Sequence, residues 1–276
     1  MPAGGPELSI VVPALNEALN VAPLVEEIDR AVRREAGIDA EVIVVDDGST
    51  DDTTRILLEL ASDRPWLRVL RRAAAQGQSA AMAAGVAAAR APFVAMLDAD
   101  LQNDPADLPE MLRILRRENA GIVQGDRSAN RRDSWLRRRA SAVGRGARRL
   151  ILGDAVRDTG CSARVLRTEL ARQIPLQYRG MHRFIPAYCA RLGAKVIEYP
   201  VRHRPRAAGE TKYGVGVLSR GAAGLLDCLV VRWMGRRLRE AGARELFPGD
   251  QLAATALAQQ DAEADPPTEV VAEGAR

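Results

Sequence analysis

Residues 92–97, Pro-Phe-Val-Ala-Met-Leu, form an apolar run that ends abruptly in Asp98 and Asp100, two carboxylates two positions apart. If that run is a buried strand, both carboxylates emerge at its C-terminal end, where open α/β sheets hold ligands. Asp98, Asp100 and Gln102 alternate along the chain, so in extended backbone they point to one side. Hard oxygen donors in this pattern suit Mg2+ or Mn2+, ions that keep several waters and bridge to substrate phosphates. A second acidic strand end, Asp46-Asp47-Gly48-Ser49-Thr50-Asp51, follows the apolar residues 42–45. Asp46 or Asp47 could accept hydrogen bonds from a base or a ribose there, although Asp46-Asp47-Gly48-Ser49 is also ordinary turn chemistry. A first apolar strand runs into Pro13-Ala14-Leu15-Asn16-Glu17.

The elements that must position these groups follow from hydrophobic periodicity. Residues 8–12 and 42–45 read as buried strands, with a shorter third strand at 67–70 and a fourth at 92–97. Between them, 17–34 places Val21, Leu24, Val25, Ile28 and Val32 at helical spacing. Asp51-Asp52-Thr53-Thr54 opens a second helix with N-cap chemistry, and 76–90 is an alanine-rich third. A helix from Pro105 to about residue 118 leads to a fifth strand at 122–124. This alternation predicts a doubly wound, parallel sheet with right-handed crossovers. Beyond Asp126 the pattern changes to a basic helical stretch reaching residue 152. A loop and strand follow over 158–166, short helices near 169 and 182–192, and a strand at 195–201. A polar loop over 203–216 precedes an amphipathic helix over 217–239. An acidic tail rich in Ala, Glu, Asp, Gln and Pro, expected to be mobile, closes the chain.

With 276 residues the chain can bury one sizeable α/β core. Its net charge of +4 conceals segregation: nine arginines against two aspartates lie between 126 and 150. A basic block of that density suits anionic lipid, phosphate or nucleic acid. Aromatic residues make up only 4%, too few for the stacking platforms of single-strand binders, so no nucleic-acid partner is expected. Cys161, Cys189 and Cys228 lack metal-site or disulfide-framework spacing and fit a reducing compartment. There is neither a G-x-G-x-x-G nor a P-loop signature. No secretory leader is read at the N-terminus. The late apolar stretch 221–231 is far short of the roughly 20 residues that cross a bilayer.

Taken together, Val11-Val12-Pro13-Ala14-Leu15-Asn16-Glu17, Val45-Asp46-Asp47-Gly48-Ser49-Thr50-Asp51 and Asp98-Ala99-Asp100-Leu101-Gln102 resemble family 2 glycosyltransferases of the GT-A fold. Within that family the chain resembles the polyprenyl-phosphate, dolichol-phosphate type of hexosyltransferase. Gly77-Gln78-Ser79, Gly125-Asp126-Arg127, Asp158-Thr159-Gly160-Cys161-Ser162-Ala163-Arg164 and Gly209-Glu210-Thr211-Lys212-Tyr213 point to that branch. The likeness covers about residues 8–235. It implies a Rossmann-like, mostly parallel sheet flanked by helices. The expected divisions are a glycosyltransferase domain over 1–240 and an acidic flexible tail over 241–276. The domain itself would comprise a nucleotide-sugar half at 8–126, an acceptor-side half at 127–216 and the amphipathic helix at 217–240.

The resemblance places Pro13, Glu17, Asp46 and Asp47 around the base and ribose, and Asp98, Asp100 and Gln102 on a Mg2+ or Mn2+ at the diphosphate. Arg127, Arg137 and Ser141 match acceptor-phosphate positions, and Arg206 and Lys212 match a loop that closes over the donor phosphates. Asp158 is expected to position the donor sugar or the acceptor. The implied reaction is inverting transfer of a hexose, mannose or glucose, from GDP-mannose or UDP-glucose to a polyprenyl phosphate. The implied setting is cytoplasmic, peripheral to the inner face of the membrane. A homo-oligomer and a membrane-protein partner both remain open. A soluble glycan acceptor and a non-catalytic nucleotide-sugar-binding paralogue are the alternatives. The chain departs from the family pattern at Ser162-Ala163, where a small-aromatic pair is common, at Thr211, where serine is usual, and in having no following transmembrane helices.

Overall fold

A computed structural model describes residues 5–128, 146, 148–153, 156–205 and 217–237. Seven strands form one sheet in the order β3-β2-β1-β4-β6-β5-β7. They are β1 (Leu8–Ala14), β2 (Ala40–Asp46), β3 (Leu67–Arg71), β4 (Phe93–Met96), β5 (Ile122–Asp126), β6 (Arg164–Arg167) and β7 (Val196–Pro200). The helices are α1 (Val21–Ile28, continued as a π-helix over Asp29–Glu35), α2 (Thr53–Ala61), α3 (Gln78–Ala88) and α4 (Leu108–Arg117). After β6 come α5 (Thr168–Gln173), α6 (Ile185–Arg191) and α7 (Val217–Arg237).

The first four strands are parallel, in a register that sets Ala14 beside Asp46 and Val11 beside Met96. The chain winds outward from β1 through β2 to β3, then crosses to the other side of β1 for β4. That reversal creates a crevice at the carboxyl ends of β1 and β4, the place such sheets use for ligands. The expectation of a parallel sheet holds for this half. In the second half β6 runs antiparallel to both β4 and β5, so the sheet is mixed.

Packing explains why these segments settle as they do. Strand β1 is almost wholly buried. On α1, Val21, Leu24, Val25 and Ile28 face the core, and on α4 Leu108, Met111, Leu112 and Leu115 do the same. Helix α3 lies so close to β1 that a side chain at Gly85 would collide with the γ-methyls of Val11. The helix expected from residue 17 begins at Val21, because Asn16 adopts a left-handed turn with φ 51° and the Glu17 N–H donates to Thr53 Oγ1 at 2.8 Å.

Candidate active site

The crevice is a cavity of about 280 Å3 walled by three strand ends. Pro13 and Ala14 end β1 and Leu15 and Glu17 follow it, Asp47 follows β2, and Asp98, Ala99 and Asp100 follow β4. Gly77, Gln78 and Ala81 of the α3 entrance close the fourth side.

The β1 and β2 loops are laced together. The Asn16 N–H donates to Ser49 Oγ at 2.9 Å, the Thr50 N–H to Asn16 Oδ1 at 2.8 Å, and the Ala18 N–H to Asp51 Oδ2 at 3.2 Å. Asp46 has no exposure to the cavity: Ser49 N–H, the Thr54 hydroxyl and Arg71 occupy its carboxylate. Asp47, its neighbour, points the other way and lines the cavity. It accepts from the backbone N–H of Gly77 at 2.7 Å and of Gln76 at 3.2 Å, and it pairs with Arg72. Asp47 thereby sets the loop that opens α3. That loop passes so close to Gly48 (φ 79°) that a Cβ there would lie 2.9 Å from the Ala74 carbonyl carbon. Glycine is required on both counts.

Asp98 and Asp100 open onto the same cavity. Desolvation raises Asp98 and the nearby Asp100 raises it further, to about 6, against the lowering effects of the Ser162 hydroxyl, Arg164 and Arg127. Gln78 Nε2 donates to Asp98 Oδ1 at 2.5 Å. The Gln102 N–H donates to Asp100 Oδ1 at 3.2 Å across a turn in which Leu101 has φ 60°, a strained conformation for leucine. Two mutually repelling carboxylates with hard oxygen donors are the environment a divalent cation relieves, so Asp98 and Asp100 fit Mg2+ or Mn2+. Among the described residues no cluster of three or more His, Cys, Asp or Glu side chains forms a metal site. Any cation here would complete its shell with Gln102, water or phosphate.

Arg127, just past β5, is held by Asp158 in a bidentate pair, Nε to Oδ2 at 2.7 Å and Nη2 to Oδ1 at 3.0 Å. Burial works against the Arg127 charge, but Asp158 more than restores it, and the net effect is a raised pKa. Asp158 also accepts from the backbone N–H groups of Arg127 and Gly160. Its oxygens are committed to donors, which suits a positioning role and not that of a general base.

Several participants were not apparent from sequence. Ser162 contacts both Asp98 and Asn103. His182 Nδ1 lies 2.7 Å from Ser79 Oγ, and burial with Arg164 and Arg183 pushes the imidazole down to about 3, so it stays neutral. Arg204 anchors the stretch leading to residue 206, with ion pairs to Asp104 at 2.6 Å and Glu27 at 2.8 Å, while its N–H donates to the Gln102 carbonyl. The signals that could have found them were the 158–164 stretch, which holds Ser162, and the Gly77-Gln78-Ser79 helix start, which holds Ser79. Arg137, Ser141, Arg206 and Lys212 lie outside the described residues.

Comparison with known proteins bears on this arrangement. The family described as Glycosyl transferase family 2 matches residues 9–175. Dodecaprenyl-phosphate galacturonate synthase of Rhizobium johnstonii is 37% identical over 239 residues, 83% of this chain and 68% of that protein. Undecaprenyl-phosphate 4-deoxy-4-formamido-L-arabinose transferase of Edwardsiella ictaluri is 34% identical over 225 residues, 80% of this chain and 67% of that one. Among solved structures, glucosyl-3-phosphoglycerate synthase from Mycobacterium tuberculosis with Mn2+, UDP and glucosyl-3-phosphoglycerate superposes with a TM-score of 0.60 at 21% identity, covering 86% of this chain and 82% of that one. A mannosyltransferase from Pyrobaculum calidifontis with GDP-Man and Mn2+ gives 0.55 at 18% identity, covering 95% and 81%. At these identities the two structures establish the fold.

Proposed function

The chain belongs to glycosyl transferase family 2, and on that premise we propose that it transfers a sugar from a nucleotide sugar to a polyprenyl phosphate. The observation that carries this reading is the opposition of two charge systems. Asp98 and Asp100 share a cavity with Pro13, Glu17 and Asp47, while Arg127 stands clamped at the end of β5. The first is built for a nucleoside diphosphate, the second for a phosphate monoester. Asp47 is assigned to the nucleotide side in preference to Asp46, because Asp47 lines the cavity and Asp46 is turned into the fold. Arg137 and Ser141 are assigned to the acceptor phosphate with Arg127, and Arg206 and Lys212 to the donor phosphates, by their match to the family pattern.

The reaction is a displacement at the anomeric carbon with inversion. A phosphate oxygen of the lipid attacks, the bond to the nucleoside diphosphate breaks, and that group leaves with the electron pair. The attacking oxygen is already anionic near neutral pH, so the protein's task is orientation and charge management. Asp98, Asp100 and Gln102 would hold a divalent cation that neutralises charge on the departing diphosphate. Arg127 grips acceptor phosphate through the edge of its guanidinium that Asp158 leaves open. The polyprenyl-phosphate names of the relatives support this acceptor class. The galacturonate and 4-deoxy-4-formamido-L-arabinose in those names widen the sugar beyond mannose and glucose, so the donor sugar is proposed only as a nucleotide-linked pyranose.

An acceptor embedded in lipid requires a surface that meets lipid. On α7, Leu226, Leu229, Val230 and Trp233 are exposed at i, i+3, i+4 and i+7, so they form one outward apolar stripe, with exposed Arg236 and Arg237 beyond it. Cys228 and Val231 are buried. Among the described residues no helix is long and apolar enough to cross a membrane. We assign the stripe to contact with the membrane surface. Calorimetric titration of UDP and GDP, with Mn2+ and with chelator, tests the donor side. Cation-dependent binding that Asp100→Ala abolishes is expected, and cation-independent binding unaffected by that substitution contradicts the assignment.

A further inference from the structure

Two polar side chains stand where the sheet should be apolar. Strands β5 and β6 are built from Ile122, Val123, Val165 and Leu166, yet they also carry Gln124 and Arg164, 0% and 1% exposed. The two are register partners across the antiparallel β5–β6 pair, so their side chains lie on the same face. Burying an amide and a guanidinium costs free energy unless their donors are used. All the described bonds of both go to backbone carbonyls. Gln124 Nε2 lies 2.9 Å from the Cys161 oxygen, 3.1 Å from that of Gly125 and 3.2 Å from that of Asp158. Arg164 donates from Nε to the Ser162 carbonyl at 3.3 Å, from Nη1 to the His182 carbonyl at 2.9 Å, and from Nη2 to the Cys161 carbonyl.

Four of these carbonyl contacts fall in residues 158–162. That turn carries Asp158, which clamps Arg127, and Ser162, whose hydroxyl reaches Asp98. It therefore spans the interval between the donor carboxylates and the acceptor guanidinium. The same scaffold fixes the His182 carbonyl, inside the helical turn Met181–Phe184.

We propose that Gln124 and Arg164 are positioning residues that brace the 158–162 turn from beneath and so set the placement of Arg127 relative to Asp98. They touch neither donor nor acceptor. They act through a turn whose displacement would separate the attacking phosphate from the anomeric carbon, where small misplacements are costly in rate. Gln124 acts mainly on the acceptor side, because it alone of the two holds the Asp158 carbonyl, while the Cys161 carbonyl is shared by both. Arg164 acts on both, because it also holds Ser162 and the backbone of His182. The kinetic part of this inference rests on the proposed transfer to a lipid phosphate; the structural part does not.

The test uses Gln124→Met, which keeps length and loses the donors, and Arg164→Lys, which keeps charge and loses the fork. The first readout is the Arg127 side-chain Nε–H resonance in a 15N-labelled sample, assigned by its loss in Arg127→Ala. In the wild type its exchange with water should be slow, and Gln124→Met should accelerate it by about tenfold as one hydrogen-bonded brace is lost. The second readout is steady-state kinetics. Gln124→Met should raise KM for polyprenyl phosphate by about tenfold and leave donor KM within about twofold, whereas Arg164→Lys should lower kcat and shift both. If Gln124→Met does not fold, Arg164→Lys in the same two assays decides. An unchanged Arg127 resonance overturns the proposal, as does an equal change of donor and acceptor KM in Gln124→Met. If the wild type transfers nothing to lipid phosphate, the function reading fails, and the Arg127 resonance still decides the bracing role.

Discussion

The Arg127–Asp158 pair makes the most exacting prediction. Its side chains are 14% and 7% exposed, so solvent screens the pair little, and both oxygens of the carboxylate are engaged. Asp158→Asn keeps the shape but removes the charge and turns one acceptor oxygen into a donor group. That NH2 must then face N–H groups now served by Asp158, whichever way the amide is turned. Breaking a buried pair typically costs 3–5 kcal/mol, and hydrogen bonds to charged groups are worth 1.5–3, so about 2–4 kcal/mol is expected here, given partial access to water. For a unit of this size each kcal/mol shifts Tm by about 2–4 °C, which gives a fall of roughly 4–16 °C. Removing both partners with Arg127→Met and Asp158→Asn should recover part of that loss, because the orphaned cation is gone. Thermal melts of the single and double variants read this directly. A Tm for Asp158→Asn within about 1 °C of wild type would refute the buried clamp. So would strictly additive losses, since residues in direct contact must couple.

Three further outcomes follow from particular contacts. His182 titrates near 3 in the fold and near 6.5 unfolded, so its stabilising effect is complete above pH 6.5 and lost as pH falls, at up to about 1.4 kcal/mol per pH unit. Urea melts of His182→Asn between pH 6 and 4 should show a flatter slope than wild type, and parallel slopes would contradict the buried neutral imidazole. Gly85→Ala gains helix propensity but drives a methyl into Val11, and a net destabilisation of about 1–3 kcal/mol is expected by denaturant titration. A stabilised variant would show that α3 can move off β1. Replacing Trp233 by Glu should weaken sedimentation with anionic vesicles by at least about tenfold and change the melting curve far less, since the residue is 58% exposed. Unchanged vesicle binding would remove α7 from the lipid contact.

The crevice was readable in the sequence because its signal is local. An apolar run ending in Asp98 and Asp100 can hardly be anything but a strand delivering carboxylates to an edge, and the spacing of Val21, Leu24, Val25 and Ile28 leaves one helical face. The α3 boundary was read two residues early because Gln76 is helix-compatible by type and was joined to the alanine run, although Gly77 between them takes φ 96° outside the helix. Only the tertiary contact of the Gln76 and Gly77 N–H groups with Asp47 shows that both belong to the loop. Likewise Asp46 and Asp47 are equivalent on paper, and only the pleat decides that one turns inward and the other into the cavity. Strand β6 has four residues, two of them arginine, and no periodicity can show that it runs antiparallel between β4 and β5. The roles of Gln124 and Arg164 depend on that pairing, so they too became visible only in the fold.

The central claim is transfer of a sugar to a polyprenyl phosphate, and one measurement tests it most directly. A panel of radiolabelled UDP- and GDP-sugars, including uronic acid and amino-pentose donors, is incubated with the protein, undecaprenyl phosphate and Mn2+, in parallel with a chelator control. The account predicts label in the lipid phase from at least one donor, lost with the chelator and reduced by more than about tenfold in Arg127→Ala. Label that never enters the lipid phase, with any donor in the panel, would contradict it.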